Sequence, residues 1–158
     1  MYNSTRDMLD AYRVTLDVLK NLLEDISQEQ AQSAKGGDEG WSVIEVICHL
    51  RDAEEFALNR NKLMRDQENP NIIPYDQEQL AKDRHYADQD LRQTLSDFIR
   101  LRQEHIALLE NLSEADWHRP GQHPEAGRIE IFDHTLHMVC HDTIHCAQIA
   151  RQLPKSMK

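Results

Sequence analysis

The stretch HTLHMVCHDTIH, residues 134–145, holds four of the nine histidines in the chain. At 3.6 residues per turn, His134, His137, His141 and His145 fall in one narrow arc of a helix, and Gln148 and Gln152 continue the line. Ile131, Met138 and Ile149 flank that arc on one side and Ile144 on the other, so the row is expected to face a bundle interior. A second apolar arc of Phe132, Leu136, Val139 and Ala147 lies opposite. This helix is therefore expected to face another subunit as well, which makes a homodimer the expected assembly. It begins near Glu130 or Ile131 and stops before Pro154, whose ring disfavours helical backbone in the residue before it.

Working outward, three more long helices appear. From Ser4 to Ile26 the apolar residues Leu9, Tyr12, Leu16, Leu19, Leu22, Leu23 and Ile26 keep a three-and-four spacing. A polar connection, SQEQAQSAKGGDEG, follows, with room for one short helical turn. Ser42 and Glu45 then form a capping box, preceded by Trp41 as a hydrophobic staple for Val46. The second helix runs to about Arg65, with His49 inside its apolar stripe. Residues 67–87 contain NPNIIPYD, whose prolines break any helix, and are long for a link within a bundle, so a crossover is expected. Asp88 is the expected cap of the third helix, which carries Leu91, Leu95, Phe98, Leu101, His105, Leu109 and Leu112. Ser113 and Asp116 cap a short turn, and WHRPGQHPEAGR reads as a loop.

The expected fold is all-α: a four-helix bundle with a long crossover between helices two and three, formed by residues 1–158 as one domain. Five glycines and five prolines are too few turn residues for a many-stranded sandwich or barrel. A formal charge of −10 opposes binding to a phosphate backbone, so nucleic acid is not an expected partner. No run of eighteen apolar residues exists and the N-terminus lacks signal-peptide character, so the expected setting is cytoplasmic, with no membrane partner. Three cysteines without a C-x-x-C pair fit a reducing compartment.

Histidines at i and i+4 can converge on one ion, with metal–nitrogen bonds of about 2.0–2.1 Å. Chance produces roughly half an H-x-x-x-H pair in a chain of this histidine content, so the pair needs support. His49 offers it, because an imidazole in an apolar stripe needs an interior partner. A metal shared with the last helix would serve, and so would a backbone carbonyl. Three imidazoles would leave coordination positions open for water or substrate.

WSVIEVICHLRDAE on the second helix and HMVCHDTIHCAQI on the fourth resemble the paired signatures of the DinB-like superfamily, related to the bacillithiol transferases and the mycothiol-dependent proteins. The similarity spans nearly the whole chain, including the LSEADW turn. One departure is Glu130, where relatives commonly carry Ser or Thr as the helix cap. The resemblance implies a bundle with an unusual crossover in which one histidine of helix two and two of helix four bind a divalent metal, here His49, His141 and His145. Nickel or zinc suits such ligands.

The resemblance also implies a transferase that activates a low-molecular-weight thiol as cosubstrate, the thiolate being the attacking form toward a small electrophilic substrate. Two alternatives stand beside it. One is a hydrolase using metal-bound water. The other is a non-catalytic dimeric bundle. Asp142 completes an H-D-x-x-H motif and is a candidate general base, although its short side chain suits a supporting carboxylate better. Cys48, Cys140 and Cys146 adjoin the proposed ligands in sequence but point about 100° away, as packing residues do. His134 and His137 are candidates for extra ligands or proton carriers. Arg60 and His105 could line a pocket.

Overall fold

The structure is a computed structural model that describes residues 4–37 and 40–153. Four long helices form the body: α1 (Ser4–Leu23), α3 (Val43–Asp66), α5 (Leu91–Glu110) and α7 (Ile131–Gln152). Short helices α2 (Gln28–Ser33), α4 (Gln77–Asp83) and α6 (Glu114–Trp117) lie in the connections. Two small antiparallel hairpins complete them, β1 (Lys35–Gly36) with β2 (Trp41–Ser42) and β3 (Pro120–His123) with β4 (Gly127–Glu130).

Cross-helix contacts fix the topology. Cys48 meets Thr94, Glu54 meets Arg102 and Lys62 meets Glu104, so α3 and α5 run parallel as neighbours. His49 meets His141 while Asn61 meets Thr135, so α7 runs antiparallel to α3. Arg13 pairs with Glu110 and Arg92 with the Leu23 carbonyl, so α1 opposes α5. The directions are up, down, down, up. Because α3 and α5 are parallel neighbours, the chain must climb back roughly 30 Å between them, and that return is the crossover expected for residues 67–87. The return is not featureless: α4 and a 3-10 turn (Tyr86–Asp88) are built into it.

Local chemistry accounts for most boundaries. The Glu45 carboxylate accepts from the Ser42 backbone N–H at 2.8 Å and starts α3 where the capping box placed it. The cap of α5 is Asp90, whose side chain accepts from the Gln93 N–H at 2.7 Å, and not Asp88, which closes the 3-10 turn before it. The competing signal was the extra Asp two residues on. The first helix ends at Leu23, with Ile26 buried just beyond it, because Arg92 donates to the Leu23, Glu24 and Ile26 carbonyls and takes up the acceptors a longer helix would have used. WHRPGQHPEAGR holds the β3–β4 hairpin, where Gly127 supplies the positive φ of the turn. Gly121 in β3 is a close approach, since a Cβ there would lie 2.9 Å from the buried Met64 side chain. The α7 helix starts at Ile131, as expected, and ends at Gln152; Pro154 lies outside the described residues.

Apolar residues collect at the two ends of the bundle. Leu19, Leu23, Ile44, Ile47 and Phe98 belong to one group, and Ala57, Met64, Leu109 and Trp117 to the other. Between them lies a layer of buried polar side chains. On α7, Ile144 is 63% exposed and does not flank the interior row; Leu136 is exposed, and Phe132 and Val139 are half-buried. No helix among the described residues is long and apolar enough to cross a membrane.

Candidate metal centre

The antiparallel seam between α3 and α7 brings His49, His141 and His145 together, with one ring nitrogen from each lying within 4.8 Å of the others. His49 Nε2 and His141 Nε2 are 2.8 Å apart, and the His145 ring centroid is 4.5 Å from that of His141 and 4.9 Å from that of His49. His49 and His145 are buried and His141 is half-buried, so the cluster opens on one side. The Trp41 indole closes another flank, 5.3 Å from the His49 ring. Burial first, and then the neighbouring His141 and His145, push His49 down to about 3, so its imidazole is neutral at physiological pH.

The hydrogen bonds behind the rings decide whether a cation fits. Gln148 donates its amide to the Gly36 carbonyl, which turns its oxygen toward His145 Nδ1 at 2.8 Å. His145 therefore carries its proton on Nδ1 and presents a lone pair at Nε2. His141 Nδ1 is buried without a partner 4.0 Å from Asp142 Oδ1, an equally unpartnered acceptor, and His49 Nδ1 is also buried without a partner. With the protons of both rings on these outer nitrogens, the two Nε2 lone pairs 2.8 Å apart would repel each other alone and be favourable around a divalent ion, and in that state the donor set fits one.

Behind the triad runs a chain of buried polar groups in which the sequence singles out His134, His105 and Asp142 but not Asn61, Glu54 or Arg102. His134 Nδ1 donates to Asn61 Oδ1, Asn61 Nδ2 donates to His105 Nε2, and His105 Nδ1 donates to Glu54, each at 2.8 Å. Arg102, fully buried, then bridges Glu54 at 2.8 Å and Asp142 at 2.7 Å, with its guanidinium 3.8 Å over the Tyr12 ring. Two carboxylates therefore share the one Arg102 guanidinium beside the triad. A divalent cation at the triad would add positive charge next to that acidic pair. The signals were present in the sequence: Arg102 lies between Phe98 and His105 on the α5 stripe, and Glu54 between Leu50 and Ala57 on that of α3.

Asp142 thus sits behind His141, on the side away from the shared nitrogens, with its other oxygen held by Arg102 and Thr15. The three cysteines fall outside the triad. Burial raises Cys48 to about 12 and Cys146 to about 11, so neither supplies a thiolate at neutral pH, and Cys140 is exposed. His134 is engaged by Asn61, and His137 is an exposed neighbour 6.2 Å from the His141 ring.

The chain belongs to the DinB superfamily. Residues 11–149 match that family. Among its relatives, an Oceanobacillus iheyensis protein named provisionally as a metal-dependent hydrolase is 35% identical over 132 residues, covering 84% of this chain and 76% of that protein. A similarly named Geobacillus kaustophilus protein is 32% identical over 113 residues, covering 70% of this chain and 63% of that one. The solved structure of YfiT from Bacillus subtilis, described as having an unusual four-helix bundle topology and assigned with reservation as a metal-dependent hydrolase, superposes with a TM-score of 0.86 at 25% identity. The match covers 94% of this chain and 85% of YfiT. This DinB-superfamily chain shares the YfiT bundle. The relatives' names favour the hydrolase reading over the thiol transfer placed first from sequence.

The polar layer gives the protein a defined acid sensitivity. Burial, followed by the charge of Arg60, pushes His134 down to about 3. Its folded value lies below the ordinary 6.5, so its stabilisation is complete above pH 6.5 and is lost as pH falls toward 3. For Glu54, burial favours the neutral form, but Arg102 and His105 outweigh it and bring the carboxyl down to about 2, so its contribution is lost only below pH 4.5. Urea unfolding of chelator-treated protein is expected to show falling stability from pH 6.5 downward, steeper below 4.5. In His134→Asn the decline between 6.5 and 4.5 should become shallower while the steep part persists.

Proposed function

We propose that the chain is a metal-dependent hydrolase of a small amide or ester, with His49, His141 and His145 holding a nickel or zinc ion. The convergence of three imidazole nitrogens from two antiparallel helices, with the outer nitrogen of His145 held by Gln148, supports this reading. Bound there, the ion would lower the pKa of a water toward neutrality and polarise a substrate carbonyl. The chain supplies the rest. Gln148 orients His145, Asp142 stands ready to orient His141, and Arg102 holds Asp142 in place. Trp41 keeps solvent from the His49 flank, so the approach is from the half-buried His141 side. Asp142 is a positioning group in this scheme, because His141 stands between it and the site where a substrate would react.

The thiol-transfer alternative needs an external thiol, since Cys48 and Cys146 stay protonated. Both readings are tested together. Protein stripped with a chelator and reloaded with zinc or nickel is assayed on a panel of N-acyl amino acids and simple esters, with and without cysteine plus an electrophile. The expected result is hydrolysis that requires the metal and ignores the thiol. Turnover only with the thiol supports transfer, and hydrolysis that is indifferent to the metal removes the proposal.

A further inference from the structure

One turn along α7 from the triad, the seam between α3 and α7 widens under the β3–β4 hairpin into a cavity of about 380 Å³. That volume falls at the small end of ligand pockets, about 300–1,000 Å³. His137 forms part of its wall, with its ring 6.2 Å from that of His141, so the cavity and the triad share an edge. Arg60 reaches in from α3, and Ile129 and Ala126 supply apolar wall from the hairpin.

Arg60 is the unusual feature. It is half-buried, its Nη2 donates to the Ile73 carbonyl at 2.9 Å, and its guanidinium rests 5.6 Å from the Tyr75 ring centroid. Its Nε is buried with no acceptor, and among the described residues no carboxylate pairs with it. Half-buried without a carboxylate partner, this guanidinium has given up water and gained no paired counter-charge, a cost that an anionic ligand would offset. The two acids at the rim do not. Asp133 accepts from the Glu130 backbone N–H at the start of α7, and Glu125 is exposed at the hairpin tip.

We propose that this cavity binds the carboxylate of a small monoanionic substrate through Arg60 and points the rest of the molecule past His137 toward the histidine triad. Arginine donates in a planar fork that suits carboxylate geometry, and its charge strengthens each bond. One unpaired cation facing two rim acids favours a single negative charge over a phosphate dianion. The substrate class rests on the hydrolase reading: with an amide or ester at the triad, the molecule is an acylated amino acid or a similar acid.

The test is calorimetric binding of hippurate, which carries an amide and a carboxylate, against its uncharged carboxamide, to both metal-free and zinc-loaded protein. Wild type is expected to bind hippurate in both states and the carboxamide about ten- to a hundredfold more weakly, the range for a lost charge-assisted hydrogen bond. Arg60→Gln is expected to lose that same factor for hippurate and almost nothing for the carboxamide. Inorganic phosphate is expected not to displace hippurate at equal concentration. Equal binding of hippurate and its carboxamide by wild type overturns the proposal without recourse to any variant, as does undiminished hippurate binding by a folded Arg60→Gln. Since the metal-free protein is measured directly, loss of hydrolysis with binding intact removes only the hydrolase reading, and hydrolysis without carboxylate preference removes only this one.

Discussion

Replacing His49 by alanine is expected to weaken zinc and nickel binding by more than about a hundredfold, beyond the 10–100-fold typical when only a supporting hydrogen bond to a ligand is lost. His49 is the sole contribution of α3 to the triad, and without it the ion keeps two imidazoles from one face of α7. Gln148→Ala should fall in the smaller range, because His145 keeps its nitrogen and loses only the acceptor that fixes its tautomer. His137→Ala should change affinity by less than about twofold, since its ring lies outside the cluster. Competition titrations against a chromophoric chelator measure all three. The ordering of the effects is the informative outcome, and comparable losses for His137→Ala and His49→Ala would mean that the ion is held elsewhere.

The second large effect concerns stability. Arg102→Met is expected to destabilise the fold by about 3–5 kcal/mol in urea, the usual cost of removing one partner from a buried ion cluster. Glu54 and Asp142 would then face each other as carboxylates with nothing between them. Neutralising both, with Glu54→Gln and Asp142→Asn in the same chain, should recover a substantial part of the loss. A pure packing role for the Arg102 side chain would give no such recovery. The same substitution should also lower metal affinity, because Asp142 would no longer be held against His141.

The helices and the triad were legible because each has a periodic signal. Four stripes at three-and-four spacing placed α1, α3, α5 and α7, and the H-x-x-x-H spacing together with a lone His49 on another stripe placed the candidate ligands. The order of the helices was visible only as a long link between Met64 and Leu91; that α3 and α5 run parallel rests on tertiary pairs such as Cys48 with Thr94. The β3–β4 hairpin was missed because its strands are four residues each and contain Pro120 and Gly121, residues that read as loop. Arg102 and Glu54 were passed over for a different reason. A single charge in an apolar stripe is ordinarily displaced to solvent, and only the meeting of α1, α3, α5 and α7 makes the two charges each other's environment.

The central claim is that His49, His141 and His145 close on one ion. X-ray absorption at the zinc edge, on protein loaded with one equivalent and compared with His141→Ala, tests it most directly. The account requires three imidazole nitrogens at about 2.0–2.1 Å in the wild type and one fewer in the variant. A shell of oxygens alone, or a spectrum unchanged by removing His141, would contradict it.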